Sequence, residues 1–161
     1  MHVIKPPQPF IKSHHYANIT MFLGGSIEMG VAEDWQTRIT EQLAIYENVT
    51  VLNPRRDAWD SSWEQRMSNP QFTEQVVWEL DSLDKADIII MYFSPDTKSP
   101  ISLLELGLFK DHRIYVCCPD GFWRKGNVEI VCDRYNIPLY DDLDSMLQQI
   151  IKQFKSNLVL L

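Results

Sequence analysis

The chain has 161 residues and a formal net charge of -7, with 45% hydrophobic and 23% charged residues and no Lys/Arg-rich run. That size and balance fit one globular domain over 1–161, and the acidic surplus argues against a duplex nucleic-acid binder, which needs a basic face to neutralise phosphates. No apolar run approaches membrane-span length, and the opening MHVIKPPQPFIKSHH lacks the apolar core of a secretory signal.

Residues 1–17, rich in Pro and His, read as an irregular segment draped over the domain. NITMFL (18–23) reads as a short strand that runs into Gly24-Gly25. Ala32, Trp35, Ile39 and Leu43 recur at helical spacing. VTVL (49–52) is a second strand, ended by Asn53-Pro54 and followed by a polar, aromatic loop. Val76, Leu80 and Leu83 mark one face of the next helix. DIIIMYF (87–93) is a continuous apolar run, as expected of a parallel strand buried on both faces.

Ser99-Pro100 opens another helix, with Ser as N-cap and Pro at the first helical position. RIYVCC (113–118) is a strand, GNVEIVCDRY a short helix and IPLY a last short strand. DDLDSMLQQIIKQF begins at an Asp cap and carries Leu143, Met146, Leu147, Ile150 and Phe154 at helical spacing. Such β-α alternation predicts an α/β, flavodoxin-like or Rossmann-like three-layer sandwich with a five-stranded parallel sheet in the order 2-1-3-4-5. Ligands of such sheets bind beyond the carboxyl ends of the strands, where strand order reverses. That places GGSIEMG and the loop into SPISLLELG at the candidate site.

Several side chains there invite a chemical reading. Glu105 is the one charged residue of SPISLLELGLF. A buried carboxylate needs a partner, a cavity or a reaction; a helix-dipole partner or core ion pair is the plain alternative. Gly24, Gly25, Ser26 and Ile27 form a turn whose backbone N–H groups can hold an anion or a sugar hydroxyl. They match neither the dinucleotide fingerprint nor the Walker loop. In WELDSLDKAD, Asp81 and Asp84 read as solvated, Asp87 as a junction residue, and Glu79 as a possible second carboxylate beside the apolar face. Arg55 to Arg66 encloses Trp59 and Trp63, suited either to stacking on a planar base or to stapling a surface loop.

The three cysteines, Cys117, Cys118 and Cys132, are odd in number and lack C-x-x-C spacing. They indicate reduced thiols in a cytoplasmic setting rather than disulfides or zinc. His14-His15 has no placed third ligand, so no metal site is expected.

Together, FLGGSI, QVVWELDSLDKADIIIMYF, SPISLLELGLF and VCCPDGFWRKGNVEIVC resemble the nucleoside 2-deoxyribosyltransferase superfamily, in its nucleoside 2-deoxyribosyltransferase-like branch. The resemblance covers most of 18–135. It implies cleavage or transfer at the N-glycosidic bond of (deoxy)nucleosides or their 5′-monophosphates, without metal or organic cofactor. The glutamate of its E-L-G motif, the nucleophile, maps to Glu105. An acid in the helix before the A-D strand maps to Glu79, where the family more often has Asp. Gly24, Gly25, Ser26, Ile27, Arg55, Trp59 and Ser99 become candidate substrate contacts. Members that prefer 5′-monophosphates carry Arg after G-S-I; here Glu28 stands there, and its charge repels phosphate. The superfamily completes its site with a polar residue from a neighbouring subunit, a role for which Asn127 is the candidate. That implies a homodimer or larger homo-oligomer, with the tail NLVLL as a possible contact. A non-catalytic nucleotide-binding or sensing module on the same fold is the alternative. A flavin-binding protein is a poorer one, because the loops lack an evident phosphate cradle.

Overall fold

A computed structural model describes residues 1–12, 18–28, 32–158 and 160. Along the chain run β1 (His2–Ile4), β2 (Ile19–Gly25), α1 (Trp35–Leu43), β3 (Val49–Leu52), α2 (Pro70–Lys85), β4 (Ile88–Tyr92), α3 (Pro100–Leu108), β5 (Ile114–Cys117), α4 (Lys125–Tyr135), β6 (Leu139–Tyr140) and α5 (Leu143–Gln153). The sheet is parallel throughout, in the order β1-β3-β2-β4-β5-β6.

Without β1, that order is the expected flavodoxin-like one; the sheet has six strands rather than five. The N-terminal segment is therefore not irregular throughout. His2–Ile4 lies along β3, pairing His2 with Thr50 and Ile4 with Leu52. A three-residue strand carries too little pattern to be read locally; the free edge of β3 supplies its partner. The His14-His15 pair lies outside the described residues.

β4 shows why the core has two halves. Ile88, Ile90 and Tyr92 face one cluster, with Trp35, Ile39 and Leu43 of α1 and Met146, Leu147 and Ile150 of α5. Ile89, Met91 and Phe93 face the other, with Trp78 and Leu83 of α2, Leu106 of α3 and Val128 and Cys132 of α4. Alternation along a strand, covered on both faces, makes the continuous apolar run. Cys117 and Cys118 likewise divide between the two clusters. Burial pushes both thiols up to about 12 and that of Cys132 to about 11, so they are poor nucleophiles at neutral pH.

Caps explain most helix starts. Asn69 accepts from Phe72 N–H at 3.0 Å ahead of Pro70, and Asp142 accepts from Ser145 N–H at 2.7 Å. On α2 the buried face is Gln75, Trp78, Ser82 and Leu83. Of the expected Val76–Leu80–Leu83 stripe, Leu83 is fully buried and Val76 partly so, but Leu80 is 39% exposed and lies off the buried face, which Trp78 fills instead. Among the described residues, no helix is long and apolar enough to cross a membrane.

Candidate active site

Gly25 ends β2 at φ +127°, opposite Tyr92 of β4. A Cβ there would lie 2.1 Å from Tyr92 O. The close approach lets Ser26 N–H donate to Tyr92 O at 2.8 Å. Trp35 Nε1 in turn donates to Ser26 O at 2.9 Å.

The Ser26 side chain is fully buried and is the hub of the loop after β4. Its Oγ accepts from Ser94 N–H at 2.9 Å and pairs with Thr97 Oγ1 at 2.8 Å and Ser99 Oγ at 2.7 Å. Thr97 Oγ1 also donates to Ser94 O at 2.8 Å. Ser26→Ala is expected to lower folding stability by about 1–3 kcal/mol, because it strands the buried Ser94 N–H. A urea midpoint equal to that of wild type would refute this role.

Ser99 holds the N-cap position of α3 with Pro100 opening the helix, as its sequence suggests, but its side chain does not do the capping. It sits in the left-handed region (φ 44°, ψ 51°) and makes no side-chain cap hydrogen bond. Its hydroxyl is engaged by Ser26 and Thr97 instead. The N–H groups of Lys98 and Ser99 both donate to Glu28 Oε1, at 2.7 and 2.8 Å. A carboxylate of the chain thus fills the anion-binding position before α3.

Glu105 is 7% exposed, on the same helix face as Ser102 and Leu106. Burial first, then the charge of Glu79, pushes its carboxyl up to about 8. Glu79 of α2 is pushed up by burial and drawn back by a hydrogen bond from Gln75. Gln75 Nε2 donates to Glu79 Oε1 at 2.8 Å and to Pro54 O at 2.9 Å. Two carboxyls from neighbouring helices therefore interact in a low-dielectric setting, and near neutral pH the pair retains a proton.

The loop after β3 divides its arginines. Arg55 turns toward α1, with Nε 3.4 Å from Asp34 Oδ1 and Nη2 3.2 Å from Gln36 Oε1. It is Arg56 that lies over an aromatic, 5.1 Å from the Trp63 ring centroid, and it also pairs with Glu74 at 2.9 Å. Trp59 meets Trp63 edge-on at 5.2 Å. Around this loop Gln36 Nε2, Gln75 Oε1 and Arg56 Nε and Nη1 are buried without a hydrogen-bond partner among the described residues.

Ile27 is half-buried beside Ser26, and Gly24 is buried in β2. Asn127 is exposed in the first turn of α4, and no hydrogen bond joins it to either glutamate among the described residues. On α3 itself, Ile101, Leu104 and Leu108 are 62%, 59% and 58% exposed. In the tail, Leu158 packs on the core and Leu160 bridges Tyr46. A groove of about 310 Å³ is lined by His2, Thr20 and Thr50, near the amino ends of the strands, and includes neither glutamate in its lining. Among the described residues, no group of three or more His, Cys, Asp or Glu is placed to hold a metal ion.

Sequence reasoning missed Thr97, Ser94 and Gln75. Only Gln75 carried a signal, its position one helical turn before Glu79.

A family model described as "Nucleoside 2-deoxyribosyltransferase like" matches residues 18–122, the span from β2 to the turn before α4. The chain belongs to the nucleoside 2-deoxyribosyltransferase-like family. It is similar in fold to a solved structure titled "Crystal structure of conserved protein from Enterococcus faecalis V583", with a TM-score of 0.61 at 10% identity, covering 84% of this chain and 99% of that one. No curated protein matches the chain.

Proposed function

We propose that this chain cleaves or transfers at the N-glycosidic bond of a nucleoside, with Glu105 as nucleophile and Glu79 as proton-transfer group. The supporting observation is the pair itself: a buried glutamate in an apolar helix whose carboxyl is pushed up by burial and by a second glutamate from α2. In the reactive form the shared proton is on Glu79 and the charge on Glu105. Glu105 attacks C1′ as the C1′–N bond breaks, and Glu79 gives its proton to the departing base. Water or a second base then attacks C1′ of the glycosyl ester, Glu79 takes the proton of the attacking group, and Glu105 leaves as carboxylate.

Glu28 favours a free nucleoside over its 5′-monophosphate. Its carboxylate sits on the Ser99 N–H, six residues before Glu105; along a helix that is roughly 9 Å. A 5′-phosphate directed to the start of α3 would meet a negative charge already in place.

The exposed Ile101, Leu104 and Leu108 support a homo-oligomer formed over α3, within which Asn127 of a second copy would be available to the site. The buried free cysteines are consistent with a cytoplasmic setting. A second reading, a non-catalytic nucleoside-binding module, is favoured by one observation: with its carboxyl near 8, Glu105 is largely neutral at pH 7.

Product analysis separates the readings. Wild type would be incubated with deoxynucleosides and their 5′-monophosphates, each with and without an acceptor base. We expect free base from deoxynucleosides, with little from the monophosphates. Acceptor dependence distinguishes transfer from hydrolysis. Saturable binding of a deoxynucleoside with no base release would overturn catalysis in favour of the binding module.

A further inference from the structure

Gln75 is 4% exposed on α2 and spans two elements of the site. Its amide nitrogen donates to Pro54 O, in the loop after β3, and to Glu79 Oε1, one turn further along its own helix. A backbone carbonyl only accepts, so the amide must present its NH2 to Pro54. The same NH2 can then only donate to Glu79. With Oε1 of Glu79 committed as an acceptor, the glutamate can carry a proton on Oε2 alone.

We propose that Gln75 is the positioning residue of the glutamate pair: anchored on Pro54 O, it fixes the Glu79 carboxyl so that Oε2 exchanges the proton with the substrate. The proposal rests on the reading of Glu79 as the proton-transfer group. The charge of Glu79 acts on the Glu105 carboxyl of α3, while Glu79 itself is raised by burial and lowered by the Gln75 hydrogen bond. The arginines of the nearby loop are engaged elsewhere, Arg55 with Asp34 and Arg56 with Glu74. Gln75 is therefore the group that offsets the burial of Glu79.

Gln75→Met keeps side-chain length and removes both donors. The carboxyl titration of Glu79 would be followed by 13C NMR in the intact chain, assigned by its loss in Glu79→Gln. Losing a hydrogen bond to a charged group is expected to raise the Glu79 midpoint by about one pH unit. The alkaline limb of the kcat/KM profile for deoxynucleoside cleavage, set by loss of the Glu79 proton, should move up with it, and kcat/KM should fall about tenfold as the carboxyl loses its fixed orientation. If Gln75→Met does not fold, Gln75→Asn, one methylene too short to span both acceptors, should give the same shift. A merely structural role would lower the melting temperature and leave the Glu79 midpoint in place; that result in a folded variant overturns the proposal. Because the titration needs no turnover, it decides the role of Gln75 even if wild type releases no base, an outcome that would count against the proposed reaction instead.

Discussion

Glu105→Gln is expected to abolish base release, by at least about a thousandfold in kcat/KM, while making the protein more stable in mild alkali. The first effect follows from the role proposed for Glu105 as nucleophile: an amide of the same shape has no charge with which to attack C1′. The second follows from burial. The folded state holds the Glu105 proton up to about pH 8, whereas an unfolded glutamate releases it near pH 4.3, its ordinary value. Between those limits the folded state binds more protons than the unfolded one, so stability is present at acid pH and lost as pH rises. Wild type should therefore weaken between about pH 5 and pH 8.5 by a few kcal/mol, of the order of 3. Glu105→Gln, with nothing to ionise there, should flatten that decline. Denaturant titrations of both proteins at the two pH values make the comparison. Parallel declines would mean that Glu105 is not the buried acid described, whatever its effect on turnover.

The other large effect is predicted for Gly25→Ala. At φ +127° a side chain is strained wherever it points, and here it would point into the backbone of β4. The added methyl would meet Tyr92 O at 2.1 Å and Tyr92 N at 2.7 Å. Neither atom can retreat without opening the β2–β4 ladder, which holds the middle of the sheet. A cost of about 3 kcal/mol or more is expected, enough to leave much of the protein unfolded or insoluble. Folded Gly25→Ala with an unchanged urea midpoint would show that the two strands need not approach so closely. Base release by a small folded fraction would not bear on this prediction, which concerns the fold and not the chemistry.

How much could be read in advance depended on whether a residue's role was local. The apolar run of β4 announced a strand covered on both faces, and a lone carboxylate in SPISLLELGLF announced Glu105. Other roles are set by distant chain. Ser99-Pro100 has the look of a helix cap, yet the Ser99 hydroxyl goes to Ser26, 73 residues away. On α2 an apolar count favours Leu80, while the buried face includes the polar Gln75 and Ser82. Hydrophobic periodicity does not see a glutamine whose partner is the carbonyl of Pro54. Likewise His2–Ile4 forms a strand only because β3 offers it an edge.

That added strand has a consequence for how copies of this chain can meet. Both margins of the sheet are stubs, three residues at His2–Ile4 and two at Leu139–Tyr140. A neighbouring molecule extending the sheet at either margin would gain only a few rungs, so strand-by-strand polymerisation has little foothold. Association of copies is thereby left to surfaces other than the sheet edges. The apolar flank of Ile101, Leu104 and Leu108 belongs to the same helix as Glu105, so whatever grips that flank also takes hold of the helix that carries the buried glutamate.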